Sequence, residues 1–337
     1  MQVHLALPGL LWPERALPDV VFDLDLPALS WLLGRARRRQ SAPLPFETWL
    51  ARRFGLESDQ PPAAALRRLG EPGSNGEPGS GDWICADPVH LAFEHGHPLL
   101  ADPAALDLQA DEIAEIAVAL APTFSTVGKF SLQASGHGYV ALAAPAAILA
   151  APLSTAVGRG AAMLLPRGDD AARWVRLANE AQIALHALEL NQRREAAGRP
   201  TINTLWFWGS GRLPDALTTP YQKVGGGGTL ARGLARHAGL PWQAAGDSMT
   251  GNSDTLLIDD RLLAPARQLD AGAWRHAMLA LDREVLAPLA ADLRRGRLGQ
   301  LTISAPGDET TLDLELGRSD TLRFWRRPRS LADALAP

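Results

Sequence analysis

The chain has 337 residues, of which 46% are hydrophobic and 21% charged, with a formal net charge of −4 and one cysteine, Cys85. This composition indicates a globular protein with one large core or two smaller ones, and it excludes a coiled coil, a collagen-like chain and a wholly disordered chain. The negative charge gives no general basic field, so we expect no nucleic-acid partner. A single cysteine excludes an internal disulfide and suits a reducing compartment.

The sequence predicts neither a targeting signal nor a membrane-spanning segment. The apolar residues 1–13 lack a basic n-region and contain Pro8 and Pro13, so we expect no signal peptide. The longest apolar run, Val140–Leu153, has 14 residues including two prolines, whereas roughly 20 are needed to span a bilayer. We therefore expect a cytoplasmic protein without a membrane partner.

Residues 1–80 are predicted to form the first part of an α/β core. The pattern predicts one buried strand and three helices, at 1–12, Asp25–Arg39, Phe46–Phe54 and Pro62–Leu69. In the first of these helices, Asp25 lies near the N-cap and Pro27 in the first turn. The Gly-, Pro- and Ser-rich segment 71–82 then predicts a flexible loop or a boundary.

Residues 81–165 are predicted to form an inserted, smaller α+β domain. The predicted order is strand, helix, strand, strand, at Trp83–Phe93, Gln109–Leu120, Phe130–Gln133 and Tyr139–Leu142. The helix assignment depends on apolar residues such as Ile113, Ile116 and Leu120, which recur at helical spacing.

Residues 166–337 are predicted to form the second part of the core, with helices and strands alternating as in an α/β layer. A helix is predicted from Asp169 or Asp170 to about Ala197, and then a strand at Thr201–Trp208. That strand ends in Gly209-Ser210-Gly211, where a parallel sheet would present a ligand-binding turn. The later predictions are helices at Leu230–Ala238 and Ala273–Leu293, a strand at Gln300–Ser304, and a hairpin of Thr311–Leu316 with Thr321–Trp325.

No familiar catalytic motif stands out. The run Gly225–Gly228 lacks both the GxGxxG spacing and the P-loop lysine, so it favours a flexible loop over a phosphate cradle. The fragment His95-Gly96-His97 favours a solvated loop over a metal site. Ser58 and Ser248 favour ordinary turn or capping roles over a nucleophile, and no GxSxG elbow is present. For Trp206 and Trp208, which share one side of a strand, burial competes with ligand stacking.

Two stretches nevertheless resemble a known family. The run Asn179–Pro214 (NEAQIALHALELNQRREAAGRPTINTLWFWGSGRLP) and the run Asp82–Leu91 (DWICADPVHL) resemble the RpfE-type bacterial proteins, which are phosphoglycerate mutase-like. More distantly, they are similar to the archaeal-type cofactor-independent phosphoglycerate mutases. The counterparts of the mutase motif are Asn191, Arg194, Gly198, Asn203, Gly209 and Gly211. Residues 246–255 (GDSMTGNSDT) resemble the glycine-threonine turn of the mutases.

The resemblance implies an alkaline-phosphatase-like α/β core sheet with flanking helices and an inserted smaller α+β domain. For active mutases it also implies two divalent metals and a phosphorylated serine. This sequence departs from that chemistry: the first strand ends in Leu7-Pro8-Gly9 instead of an aspartate, and residues 301–308 (LTISAPGD) lack an Asp-His pair. Residues 258–274 contain no histidine, and Trp208 replaces an arginine. Ser58 lies only roughly where the nucleophile would be.

We therefore expect a mutase-like protein that has lost the two-metal phosphoryl-transfer site and acts as a regulatory or anion-metabolite-binding protein, without a metal or cofactor. The partner would be a small anionic or phosphorylated metabolite, or another protein that contacts exposed tryptophans. The expected ligand-binding residues are Asn179, Asn191, Arg193, Arg194, Asn203, Trp206, Trp208, Gly209, Gly211 and Arg212. The alternative is an active mutase or phosphatase that holds Mn or Zn through relocated ligands, drawn from Asp87, His90, Asp247 and Asp254, with Ser58 as a weak candidate nucleophile.

Overall fold

A computed structural model describes residues 1–12, 16–73, 81–94, 97–160, 164–245 and 253–335. The chain divides into two compact units. The first unit comprises Met1–Trp49, Pro220–Gly228 and Leu240–Pro337, and the second comprises Leu50–Thr219 and Thr229–Gly239. These limits differ from the predicted boundaries at 80 and 165. Residues 166–219 belong to the second unit because the strand Thr204–Gly211 pairs with Trp83–Val89.

The strands, numbered in chain order, are β1 (Gln2–Ala6), β2 (Arg37–Ser41), β3 (Trp83–Val89), β4 (Leu91–Glu94), β5 (His97–Leu100), β6 (Gly128–Leu132), β7 (Gly138–Leu142), β8 (Thr204–Gly211), β9 (Lys223–Gly226), β10 (Trp242–Gln243), β11 (Thr255–Ile258), β12 (Gln300–Pro306) and β13 (Thr311–Gly317). The α-helices are α1 (Leu17–Val21), α2 (Pro27–Arg35), α3 (Phe46–Arg52), α4 (Ala63–Leu69), α5 (Ala110–Phe124), α6 (Leu153–Ala156), α7 (Ala171–His186), α8 (Glu189–Ala196), α9 (Gly228–His237), α10 (Leu263–Arg267), α11 (Ala271–Leu281), α12 (Ala287–Arg294) and α13 (Leu331–Leu335). Short 3₁₀ segments lie at Pro103–Leu106 and Arg318–Leu322, and a π-helical turn at Asp282–Leu286 joins α11 to α12.

The first unit is built on a seven-stranded sheet in the order β10-β9-β11-β1-β12-β13-β2. The first five strands of this order run parallel to one another, β13 runs antiparallel to β12, and β2 runs antiparallel to β13. Residues such as Leu5, Ile303 and Leu314 point from one face into a buried apolar cluster with residues of α2, α11 and α12. The α/β core expected from the alternation of helices and strands is thus confirmed.

The second unit contains a four-stranded antiparallel sheet in the order β6-β7-β3-β8. On one face, Phe207 contacts Trp174 of α7 and Phe124 of α5, with ring centroids 4.9 and 5.9 Å apart. Because side chains alternate along a strand, Trp206 and Trp208 lie on the opposite face, together with Asp87 of β3. Helix α4 packs against β3 and β8.

Three of the differences between the predicted elements and the structure have a clear physical reason. The helix expected to reach Arg39 ends at Arg35, since 37–41 pair with β13 as a strand. The long helix expected to end near Ala197 is broken between His186 and Glu189 into α7 and α8. The hairpin expected from 321–325 does not form: β13 pairs with β12 and β2, and Arg318–Leu322 is a 3₁₀ turn in which the Gly317 N–H donates to Asp320.

No helix in the described part of the chain is long and apolar enough to cross a membrane.

Candidate functional site

A buried ionic group lies at the centre of the second unit, around Asp87 of β3. The carboxylate accepts two hydrogen bonds from the Arg67 guanidinium, at 2.6 and 3.0 Å. It also accepts one from the Trp208 indole at 2.7 Å and one from the Gly138 N–H at 3.1 Å. Asp87 and Arg67 are both almost fully buried. A buried ion pair is tolerated when its remaining donors and acceptors are satisfied, and here the carboxylate is fully used.

Helix α4 supplies Arg67, whose guanidinium lies over two aromatic rings. Its carbon is 4.8 Å from the centre of the Tyr139 ring and 5.1 Å from that of Trp208. Burial alone would lower the pKa of Arg67, but the charge of Asp87, together with the neighbouring Cys85 and Tyr139, outweighs that effect and holds the pKa well above its usual value. The guanidinium is therefore a permanent cation enclosed by protein groups.

Glu71, which follows α4, extends this group towards the surface. Its carboxylate accepts from the Tyr139 hydroxyl at 2.6 Å, from Ser135 at 2.7 Å and from Nδ1 of His137 at 2.7 Å. Burial pushes the pKa of Glu71 upward, but the hydrogen bonds from His137 and Tyr139 outweigh burial and lower that pKa. Burial also raises the pKa of Tyr139 well above its usual value, so the phenol stays protonated and can donate.

Several expected ligand residues instead hold the backbone of the second unit. The Asn191 amide donates to the carbonyls of Leu185 and Ile202 and accepts from the Ile202 N–H, each at 2.8 Å. It therefore joins the end of α7 to the segment before β8. The Asn203 amide bonds in the same way to both backbone groups of Leu91, at 2.8 and 2.9 Å.

The two adjacent arginines of α8 have different environments. Arg194 is fully buried; it donates to Glu112 at 2.8 Å and to the backbone carbonyls of Pro200 and Leu106. Arg193 is exposed and pairs with Glu115 at 2.6 Å. Only Arg193 therefore presents its guanidinium to solvent.

The remaining expected residues are spread along β8 and α7. The Trp206 indole donates to the Ala151 carbonyl at 2.8 Å, so both tryptophans of β8 are buried and hydrogen-bonded within the protein. Asn179 is exposed on α7. Arg212 is exposed and contacts Asp82 at 3.1 Å.

The glycines of β8 lie where the strand comes close to the start of α4. β8 continues to Gly211 and runs antiparallel, so the turn expected at the end of a parallel strand is not present there. Gly209 and Gly211 have positive φ angles, and a Cβ on either would lie within 3 Å of Ala63 or Pro62 at the start of α4. Their role is to let α4 pack against the strand.

The carboxylates and histidine named for relocated metal ligands have other partners where they are described. Asp87 binds Arg67, Nδ1 of His90 contacts the Thr201 carbonyl at 2.8 Å, and Asp254, in the first unit, accepts from the Gln2 N–H at 2.7 Å. Within the described ranges, no three histidine, cysteine, aspartate or glutamate residues group as metal ligands would. Asp247, Ser248 and His95 lie outside the described residues, as does the side chain of His97.

Ser58 lies in an exposed turn of the second unit. Its hydroxyl donates to the Gln60 carbonyl at 2.9 Å and accepts from the Gln60 N–H at 3.1 Å. These are the bonds of a serine turn, which is the ordinary role expected from the sequence.

In the first unit, the carboxyl ends of the parallel strands are occupied by protein groups. Gly9, just after β1, lies against Leu262, so that a Cβ would be 2.5 Å from the Leu262 carbonyl oxygen. The Gly9 carbonyl also accepts from the Trp274 indole at 2.8 Å. The run Gly225–Gly228, expected as a loop, spans the end of β9 and the start of α9.

Two acidic side chains at these strand ends are ion-paired. Asp259, after β11, binds Arg261 at 2.8 Å, and Asp308, after β12, binds Arg267. Asp260 is exposed beside Asp259. The strand ends thus carry acidic groups, but Arg261 and, at the end of α10, Arg267 neutralise two of them.

A hydrogen-bonded polar group also links neighbouring strands of the seven-stranded sheet. His4 contacts the Tyr221 hydroxyl through Nδ1 at 2.6 Å and the Ser304 hydroxyl through Nε2 at 2.7 Å. Ser304 in turn donates to Asp313. Because the serine proton goes to the aspartate, His4 does not act as its base, and the arrangement differs from a nucleophilic Ser–His pair.

Sequence reasoning missed Arg67, which binds Asp87, and also Tyr139 and Glu71, which extend the buried group from Arg67. The helix AAALRRL reads as an ordinary amphipathic segment, and nothing in its spacing links Arg67 to a strand 20 residues further on. The available signal was Asp87 itself, a charged residue inside the strand WICADPV, since a buried carboxylate requires a partner.

No family model matches the chain. It is similar to a "Probable 2,3-bisphosphoglycerate-independent phosphoglycerate mutase" from Geobacter sulfurreducens, with 33% identity over 82 residues, 23% of this chain. The match spans only 20% of that protein's length. Two solved structures are also similar, each at 15% identity. The cofactor-independent phosphoglycerate mutase from Thermoplasma acidophilum has a TM-score of 0.42 over 100% of this chain and 95% of that one. The PH0037 protein from Pyrococcus horikoshii has a TM-score of 0.54 over 98% of this chain and 91% of that one, and it supports the predicted α/β fold class.

Proposed function

We propose that this chain is a phosphoglycerate mutase-like protein of the RpfE type that lacks the two-metal phosphoryl-transfer site and works in the cytoplasm as a regulatory protein that binds a small anionic metabolite. The similarity over 82 residues to the probable mutase supports the first part of the proposal. The second part depends on the chemistry of the strand ends in the first unit.

The observation that carries the proposal is the pairing of Asp259 and Asp308 with arginines. Two divalent ions close together need several carboxylate or imidazole ligands to offset their charge and their dehydration. An aspartate that neutralises an arginine is a poor ligand, because metal binding would leave the guanidinium without its partner. Of the acidic residues directly after β11 and β12, only Asp260 and Glu309 have no arginine partner among the described residues, and two carboxylates are too few for two ions.

The anion-binding part is supported by Arg193 and Arg212. Both are exposed, and each is paired with a single carboxylate. A guanidinium has five N–H donors in a planar fork, so each arginine keeps donors for a phosphate or carboxylate. A phosphorylated three-carbon acid carries both groups.

The test is a coupled phosphoglycerate mutase assay with added Mn²⁺, together with isothermal titration of 3-phosphoglycerate into the same protein. We expect no turnover above the blank and heat of binding that falls in Arg193→Gln and Arg212→Gln. Metal analysis of the purified protein is expected to show less than one equivalent of Mn or Zn.

Two results would contradict the proposal, one for each of its parts. Turnover that requires Mn²⁺ and is lost in Ser58→Ala or Asp260→Asn would establish the alternative, a mutase or phosphatase with relocated ligands. Absence of any binding heat would remove the metabolite-binding part and leave a protein partner as the regulatory ligand.

A further inference from the structure

A basic and aromatic surface lies on the first unit, in the segment that leads from β13 to α13. Three large apolar side chains of this segment are exposed: Leu322 is 72% exposed, Phe324 84% and Trp325 65%. All ten tryptophans lie in the described ranges, and the other nine are buried or half-buried. Trp325 is therefore the exception in a chain that otherwise places its indoles inside.

The aromatic pair forms the tip of a turn. The Arg326 N–H donates to the Arg323 carbonyl at 3.0 Å, which puts Phe324 and Trp325 at the two central positions. Their rings contact each other edge to face, with centroids 5.2 Å apart. Because their high exposure shows that little protein covers them, the pair forms a protruding apolar tip.

The same segment carries unpaired positive charge. Arg318, Arg326, Arg327 and Arg329 are exposed, and none of them forms an ion pair with a described residue. Arg323 alone has a carboxylate partner, the buried Asp320, at 2.9 Å. The local charge is thus opposite in sign to the net charge of the chain, which is −4.

The segment rests directly on α2. The Arg329 N–H donates to the Ser30 carbonyl at 3.0 Å, and a Cβ on Gly34 would lie 2.2 Å from the Arg327 carbonyl oxygen. The tip is therefore attached at its base to a helix that packs into the core.

Helices α2 and α12 add one guanidinium group each to this surface. Those of Arg35 and Arg294 lie over the Trp31 ring, 4.7 and 4.1 Å from its centre. Burial and the charge of Arg294 lower the pKa of Arg35, and the Arg35 Nε has no hydrogen-bond partner among the described groups. Two neighbouring cations without a counter-ion would be stabilised by an anion.

We propose that this surface docks on an anionic phospholipid bilayer, with Phe324 and Trp325 in the interfacial layer and the arginines on lipid phosphates. Aromatic side chains favour the bilayer interface, and each basic residue near an anionic leaflet adds to binding. A small protruding tip in a field of arginines suits a flat, deformable, negatively charged surface better than a protein partner, which needs a broad complementary patch. The proposal revises the sequence-based expectation of no membrane partner and is independent of the proposed function.

The test is flotation of the full chain with phosphatidylcholine vesicles, prepared with and without phosphatidylglycerol. We expect binding only to the anionic vesicles, weakened by added salt. Arg326→Gln, Arg327→Gln and Arg329→Gln together should reduce the binding constant by about a hundredfold, because each arginine contributes about fivefold. Phe324→Ser with Trp325→Ser should also abolish flotation, since the tip is then polar.

Matched controls come from the second unit. Arg167, Arg173 and Arg176 are exposed, so their combined change to Gln removes the same charge elsewhere; Ile183→Ser removes an exposed apolar side chain. Both controls should bind vesicles as the wild type does. Equal binding to neutral vesicles, equal loss in the controls, or no flotation at all would overturn the proposal. Binding of a single-stranded oligonucleotide or an acidic peptide through the same residues without vesicle binding would overturn it in favour of that partner.

Discussion

The two units of this chain differ in what one face of each sheet buries. In the first unit, one face of the seven-stranded sheet contributes Leu5, Ile303 and Leu314 to an apolar cluster. In the second unit, one face of the antiparallel sheet contributes a carboxylate, Asp87, which is paired with a buried arginine. Apolar burial is non-directional, whereas the ion pair is stable only if its geometry is kept.

The comparison explains why most of the expected ligand residues have structural roles. Asp87, Arg194 and Asn191 are polar residues at positions of the second unit that are buried, so each must have its hydrogen bonds satisfied internally. A polar residue that this chain shares with a similar family can therefore belong to a buried hydrogen-bond network as readily as to a ligand site.

The largest effect is expected from Asp87→Asn. The amide keeps the size of the carboxylate but leaves the buried Arg67 guanidinium uncompensated, which should lower the free energy of unfolding by about 3–5 kcal/mol. Hydrogen exchange measured by mass spectrometry should rise in β3, β7 and β8.

The matched control is Leu314→Ala, which leaves a cavity in the apolar core of the first unit and should destabilise it by about 2–5 kcal/mol. Its exchange should rise in β12, β13 and β2. If both variants raised exchange equally in both sheets, the two cores would not be energetically separate, and the comparison would fail.

A smaller, pH-dependent effect is expected from Glu71→Gln. The native pKa of Glu71 is lowered, so its contribution is complete above the pKa of the unfolded chain, about 4.3, and disappears as the pH falls through the native value. At neutral pH the variant should lose about 2 kcal/mol of unfolding free energy, because three donors lose a charged acceptor.

Urea denaturation at neutral and acid pH measures this effect. The difference between wild type and Glu71→Gln should shrink with acidification, while the difference between wild type and Leu314→Ala should not. A Glu71→Gln penalty that stayed constant down to pH values below the native pKa would show that the carboxylate charge is not involved.

Elements that depend on local sequence patterns could be predicted, whereas elements that depend on distant contacts could not. The amphipathic helix expected at Gln109–Leu120 is present as α5, because its apolar spacing is a local signal. By contrast, 37–41 (RRRQS) carries no strand pattern, and it is a strand only because it completes the sheet edge beside β13. The break between α7 and α8 was also not predictable, since Asn191 stabilises it through the distant Ile202.

The site was less predictable than the fold. Arg193 and Arg194 are adjacent and chemically identical, yet one is exposed and the other fully buried against Glu112. Their roles depend on which face of α8 meets α5, and the sequence of α8, which is polar on nearly all sides, does not specify that face.

The smallest effect on stability is expected from Arg212→Gln, which also decides between a structural and a ligand-binding role at the surface. The pair with Asp82 is largely exposed on the arginine side, and such pairs contribute about 0–1 kcal/mol. Urea denaturation should therefore hardly distinguish this variant from the wild type.

If 3-phosphoglycerate binds the wild type, the Arg212→Gln variant should bind it several-fold more weakly, because a phosphate would share the guanidinium donors that Asp82 leaves free. A variant that is destabilised but binds unchanged would assign Arg212 to the framework of the second unit, as Asp87 and Arg194 already are. A variant with unchanged stability and weakened binding would show that Arg212 binds the ligand at the surface.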